Sequence, residues 1–281
     1  MIKAVLFDFW GTLVEIGVFP SPVKQVREIL RLHRMPYRKF IVTFERSFML
    51  EKSDDLYQAF TKVCEAFQRE PSQEVLDELV GMWNKNKLLA KPFPESMKIL
   101  EDLKKQYKIA LLANSDCFSV RAVLEKYGLE KYFDEVLLSF EVGYLKIDRE
   151  MYEDVLKRLG IAPGEAVMIG DSINSDIRSA ENAGVGAILL DRRGTYPDFE
   201  WSIESLEDLP LALDELSAEL QHRAEEAAEE PAGVARESDE PAEESGEYGE
   251  SESGEELGPS TEPEGGKQPD EETDDDEELA E

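Results

Sequence analysis

Five short apolar runs recur along this chain, and helical patterns separate the later ones. The runs are 2–7 (IKAVLF), 109–112 (IALL), 135–138 (EVLL), 166–169 (AVMI) and 187–190 (AILL). Runs this short, rich in branched residues, read as buried strands. Helical periodicity fills about 119–127, 151–159 and 173–183, and Gly128, Gly160 and Gly184 stand where those helices would stop. Strands that alternate with helices imply a parallel sheet covered on both faces. The fold class expected is α/β.

The stretch from about Ile16 to Pro94 breaks that rhythm. Val26, Ile29 and Leu30, then Phe40, Phe44 and Phe48, keep helical spacing, and strand signals are few. It reads as a helical insertion after the first strand, with Pro92 and Pro94 marking the return. The expected division is therefore a core of 1–15 and 95–216, an insertion of 16–94, and a tail of 217–281.

Charge sets the tail apart. Residues 217–281 carry 26 of the 63 acids but only 3 of the 31 Lys and Arg, so they supply most of the net charge of −32. Beyond about Ala224 the composition cannot bury enough apolar surface to offset ordering entropy, and disorder is expected. The remainder still has more acids than bases, which argues against a broad nucleic-acid surface. No run reaches the ~18 apolar residues of a membrane span, and MIKAVLFDFWGTL lacks the regions of a signal peptide. The two cysteines, Cys64 and Cys117, make no disulfide framework, so a cytoplasmic setting is expected.

In parallel α/β sheets, ligands bind beyond the carboxyl ends of the strands. Asp8 and Asp171 each follow a strand directly, and Lys146 follows the strand at 135–138 after a short loop. Asp176 lies five residues beyond Asp171, where the next helix starts. Three acids and a lysine from distant parts of the chain thus meet at one crevice. A carboxylate attacking a phosphoryl group faces repulsion between anions. A divalent cation held by carboxylates cancels much of it, and hard oxygen ligands suit Mg²⁺. A lysine at the same place offsets the charge of nucleophile and substrate. Gly11, in the segment W-G-T after Asp8, permits a tight turn whose N–H groups can face an anion.

These segments resemble the motifs of the haloacid dehalogenase-like hydrolases. The family's D-x-D-G-T is similar to Asp8-Phe9-Trp10-Gly11-Thr12, its lysine before a helix to Lys146-Ile147-Asp148-Arg149 with Tyr152 following, and its G-D-x-x-x-x-D to the run from Gly170-Asp171 to Asp176. The resemblance covers about residues 1–210. It implies a doubly wound, Rossmann-like core and makes the insertion an α-helical cap that selects small substrates. It implies a hydrolase, a phosphatase or phosphoryl-transfer enzyme, that works through an aspartyl intermediate at Asp8 with Lys146. It implies Mg²⁺ bound by Asp8, the Trp10 backbone carbonyl, Asp171 and Asp176. Trp10, Gly11, Thr12, Asn114 and Ser115 become the expected contacts of a small anionic substrate.

Two positions depart from the pattern. The second acid of the first motif, which protonates the leaving oxygen and later activates water, is replaced by Trp10, whose indole cannot shuttle a proton. The Ser or Thr of the second motif is replaced by Ala113, with Asn114 and Ser115 next in line as substitutes. Loss of a general acid costs ~10²–10⁴ in rate, most for poor leaving groups. An aromatic residue in the first motif is also similar to the metal-free 2-haloacid dehalogenases, which makes that activity one alternative. Asp171 opposes it, because paired acids beside a buried nucleophile need a cation. A low-activity member that binds metabolites or partners is the other alternative. The basic cluster Arg31, Arg34, Arg38, Lys39 and Arg46, with His33 among it, reads as a solvated helix face.

Overall fold

The computed structural model describes residues 1–229, with side chains through His222. In chain order the elements are β1 (Ala4–Phe7), β2 (Val14–Glu15), α1 (Pro22–Ile29), α2 (Tyr37–Phe48), α3 (Leu56–Ala66), α4 (Gln73–Leu89), β3 (Lys91–Pro92), α5 (Ser96–Leu103) and β4 (Lys108–Ala113). There follow α6 (Val120–Tyr127), β5 (Glu135–Leu138), α7 (Ser139–Val142), α8 (Arg149–Leu159), β6 (Ala166–Gly170), α9 (Ser179–Asn182), β7 (Gly186–Leu190), β8 (Ser202–Ile203) and α10 (Leu209–Glu229).

Six strands form one parallel sheet in the order β5-β4-β1-β6-β7-β8. Taken by appearance in the chain that order is 3-2-1-4-5-6, the doubly wound arrangement. Strand β1 sits at the centre, with Phe7 opposite both Leu111 and Ile169. Side chains alternate between two layers, as the period of a strand demands. Val5, Phe7, Ile109 and Ile169 pack with α5, α6 and α10; Ala4, Leu6, Ala110 and Met168 pack with α8 and α9. Burial on both faces explains why the runs read as continuously apolar.

Helices α1–α4 build a separate apolar cluster. Phe40, Phe44 and Phe48 lie one turn apart on α2, and Phe48, Phe60 and Trp83 meet with ring centroids 4.6–5.6 Å apart. The two ends of this insert run side by side, because β2 and β3 pair antiparallel, Val14 with Pro92 and Glu15 with Lys91. Among the described residues, no helix is long and apolar enough to cross a membrane.

Helix α10 spans the boundary expected at 216. It passes 216 and continues to Glu229, as its Leu209, Leu213 and Leu216 pack on the sheet and Ala and Glu, good helix formers, extend it. The rest of the segment expected to be disordered lies outside the described residues.

Candidate active site

The site starts where β1 stops. The Asp8 N–H still donates to Ile169 O at 2.9 Å, which holds Asp8 in line with the sheet. The chain then folds back on itself. Leu13 and Val14 both donate to Phe9 O (3.0 and 2.9 Å), and Gly11 donates to Val14 O (2.9 Å). Phe9 is fully buried and anchors the turn, with the Trp10 ring edge-on against it at 4.9 Å. Gly11 has φ +82°, and a Cβ there would fall 1.9 Å from Asp171 Oδ2. Only glycine allows this turn to approach that carboxylate.

Lys146 arrives from the loop between α7 and α8. Its N–H donates to Asn114 Oδ1 at 2.8 Å, which ties the loop to the end of β4. Its ammonium donates to Asp8 Oδ1 at 2.5 Å and also to Asp176 Oδ1. Asp176 lies in a π-helical turn, Ile173–Arg178, a local widening common at functional sites. Its Oδ2 accepts the Ser172 N–H at 3.1 Å, and its backbone carbonyl accepts the Tyr152 hydroxyl at 3.3 Å. A Cβ at Gly170 would lie 2.2 Å from Asp176 Oδ2. The family-type glycines at 11 and 170 thus make room for two acids.

Asp8, Lys146 and Asp176 are 6, 4 and 0 % exposed. Burial pulls the Lys146 ammonium down, but Asp176 and Asp8 outweigh it and hold it well above its ordinary range. Burial pushes the Asp176 carboxyl up, Lys146 opposes and Asp8 adds to the push, leaving it at about 6. Carboxylate oxygens of Asp8, Asp171 and Asp176 all lie within 4.8 Å of one another. Asp8 and Asp176 face one ammonium in the buried part of the cluster, and Asp171 adds a third carboxylate on its open side. Such a cluster is costly without a counter-charge, and an all-oxygen donor set with that surplus fits a hard divalent cation.

A cavity of about 570 Å³ opens beside this cluster, between the insert and the core. Trp10, Gly11, Asn114 and Asp171 line it. Asn114 Nδ2 is buried with no hydrogen-bond partner among the described residues, a penalty that an oxygen of a bound anion would relieve. Thr12 and Ser115 are not brought to the cavity. Thr12 is fully buried with its Oγ1 unpartnered. The Ser115 hydroxyl donates to Asp116 O at 2.7 Å and its N–H donates to Ser139 Oγ at 2.9 Å.

Sequence reasoning missed Arg192. Its guanidinium donates to Gly11 O (3.2 Å) and Thr12 O (2.9 Å), pairs with Glu95 (2.7 Å) and stacks 3.6 Å over Phe93. It clamps the turn that follows Asp8. The rule that singles out Asp8 and Asp171 applies equally to Asp191-Arg192, which follow β7. Also missed was Asp116, which accepts the Trp83 indole N–H at 3.0 Å and joins insert to core. Burial pushes its carboxyl up, against hydrogen bonds from Ser119, Phe118 and Trp83. Arg31, His33, Arg34, Arg38 and Lys39 are exposed, and Arg46 pairs with Asp148 across the junction.

Comparison with known proteins agrees with this architecture. The family model described as haloacid dehalogenase-like hydrolase matches residues 2–184. A glyceraldehyde 3-phosphate phosphatase of Methanothermobacter thermautotrophicus is 30 % identical over 198 residues, 68 % of this chain and 86 % of that protein. A 2-haloacid dehalogenase from Pseudomonas syringae superposes with a TM-score of 0.53 at 25 % identity, covering 77 % of this chain and all of that one. A phosphatase of the same superfamily from Thermococcus onnurineus gives 0.50 at 25 % identity, over 75 and 98 %. The chain belongs to the haloacid dehalogenase-like hydrolases, and it is an enzyme of that hydrolase class.

Proposed function

We propose that this protein is a cytoplasmic, Mg²⁺-dependent phosphatase of small phosphorylated molecules, with Asp8 as nucleophile. The observation that carries the reading is the buried Asp8–Lys146–Asp176 cluster with Asp171 beside it at the cavity. The phosphatase relative from Methanothermobacter supports it. Asp8, Asp171, Asp176 and the Trp10 backbone carbonyl are the residues that would hold Mg²⁺. When bound, the ion reduces repulsion between the carboxylate and the phosphoryl oxygens.

The chain's own groups do the rest. An Asp8 oxygen attacks phosphorus, the bond from phosphorus to the leaving oxygen breaks, and that oxygen departs with the electron pair. Water then attacks the phosphorus of the aspartyl phosphate. Asp8 is released as carboxylate, and the two protons of the water leave with the phosphate. Lys146 donates to Asp8 and offsets the added negative charge. Asn114 Nδ2 donates to a phosphoryl oxygen. The helical insert acts as a cap that encloses the substrate.

The test is hydrolysis of an aryl phosphate with added Mg²⁺ and with chelator, in wild type and Asp8→Asn. Activity is expected to need the metal and to fall about 10⁴-fold or more in the variant. Activity that survives complete metal removal overturns the reading. Trp10 and the likeness to the Pseudomonas syringae protein favour a second reading, a 2-haloacid dehalogenase. Halide release from short 2-haloacids in chelator would establish that one instead.

A further inference from the structure

The wall of the cavity narrows what the phosphate is attached to. A volume of about 570 Å³ is well within the range of small-molecule sites, ~300–1,000 Å³. It leaves room for a leaving group as large as a ring beside the phosphoryl group. Much of the surface available to that group is apolar: Trp10, Phe19, Val23, Met49, Trp83 and Phe93 all line the cavity. Phe19 is 89 % exposed, an apolar ring standing at the rim where the insert begins.

Charge points the same way. The acids Glu15, Asp116, Asp171 and Asp191 line the cavity, while its cations are Arg192 and Arg193. Arg192 is committed to Gly11, Thr12 and Glu95. Arg193 is exposed. Among the described residues of the wall the four acids outnumber the two cations, so a second anionic group on the substrate would meet more negative than positive charge.

Leaving-group chemistry gives a third constraint. Trp10, two residues from the nucleophile and on the cavity wall, supplies no proton to the departing oxygen. An oxygen that departs unprotonated must be a weak base. A phenolate, with a conjugate acid pKa of ~10, meets that demand far better than an alkoxide.

We infer that the substrate is a phosphate monoester of an apolar, phenol-like alcohol, an aryl phosphate without a second anionic group. This inference rests on the phosphatase reading. In the first step the bond from Asp8 to phosphorus forms, the bond from phosphorus to the aryl oxygen breaks, and the phenolate leaves and takes its proton from solvent.

The experiment compares kcat/KM for phenyl, benzyl and 4-carboxyphenyl phosphate with Mg²⁺ in wild type and Trp10→Asp. Phenyl phosphate is expected to exceed benzyl phosphate by ~10²-fold or more in wild type, the cost of an absent general acid. It is expected to exceed the carboxyphenyl ester by at least about tenfold, through like-charge repulsion. Trp10→Asp should bring benzyl phosphate to within about tenfold of phenyl phosphate. If that variant does not fold, the two wild-type ratios decide alone. Either ratio near one overturns the inference and leaves the phosphatase reading standing. Absence of phosphate release from all three esters overturns both.

Discussion

The α/β core and the helical insert solve different problems with different materials. In the core, strands β1, β4 and β6 are buried on both faces and their ends hold the charged groups in place through backbone geometry. In the insert, aromatic rings pack on one another and leave an apolar wall facing the site. A few polar contacts join the two: Trp83 to Asp116 and Ser119, Ser139 Oγ to Met49 O at 2.6 Å, and Arg46 to Asp148. The contrast teaches that the core carries the charged groups, at strand ends and in the segments that follow them, whereas the insert adds apolar side chains to the cavity wall. Changes in one region should then be felt weakly in the other.

The largest test of that separation is Phe44→Ala. Phe44 is fully buried and packs against Phe40, Phe48 and Trp83. Removing its ring should cost ~3–5 kcal/mol. Amide exchange in α2, α3 and α4 is expected to accelerate far more than in β1, β4 and β6. An equal acceleration in both regions would show that insert and core unfold as one unit.

The same contrast decides what was legible beforehand. The strands read at 109–112 and 166–169 appear in β4 and β6, because double burial makes an apolar run unmistakable. Strand β8, two residues long, offered no such run. The β2–β3 pairing joins residues far apart in sequence, which periodicity cannot reveal. The meeting of Asp8, Asp171 and Asp176 was legible because position after a strand is written in the chain, whereas Lys146 comes only after helix α7. Orientation is not written there. Thr12 and Ser115 neighbour motif residues in sequence, yet their hydroxyls lie away from the cavity, and Arg192 reaches the turn after Asp8 from the end of β7.

A smaller effect concerns charge in the core alone. Without metal, Asp176 holds its proton to about pH 6, while an unfolded chain releases it near ~3.9. Between those values the folded state binds more protons than the unfolded state. This group's contribution is therefore largest at the acid end and is lost as pH rises through the window. Unfolding free energies of wild type minus Asp176→Asn, measured in chelator from about pH 4 to pH 7, should fall by about 2 kcal/mol. Added Mg²⁺, which favours the ionised acid, should flatten that fall. A metal-free difference that rises over the same range overturns the electrostatic account of the cluster.

The smallest effect is expected at the junction itself. Arg46 Nη2 lies 2.7 Å from Asp148 Oδ1, and the two side chains are 47 and 20 % exposed. Asp148 Oδ2 also accepts the Leu145 N–H at 2.9 Å, so the pair links helix α2 to the loop that carries Lys146. Exposed pairs contribute only ~0.2–1 kcal/mol, and salt screens them. Arg46→Ala should lower stability by no more than that, with the difference shrinking at high salt. Because Lys146 is held independently by Asn114, Asp8 and Asp176, kcat on an aryl phosphate should change less than about threefold, a shift below 1 kcal/mol in the barrier. A loss of tenfold or more in kcat would mean that the insert sets the position of the lysine, and the division of labour between the two regions would have to be abandoned.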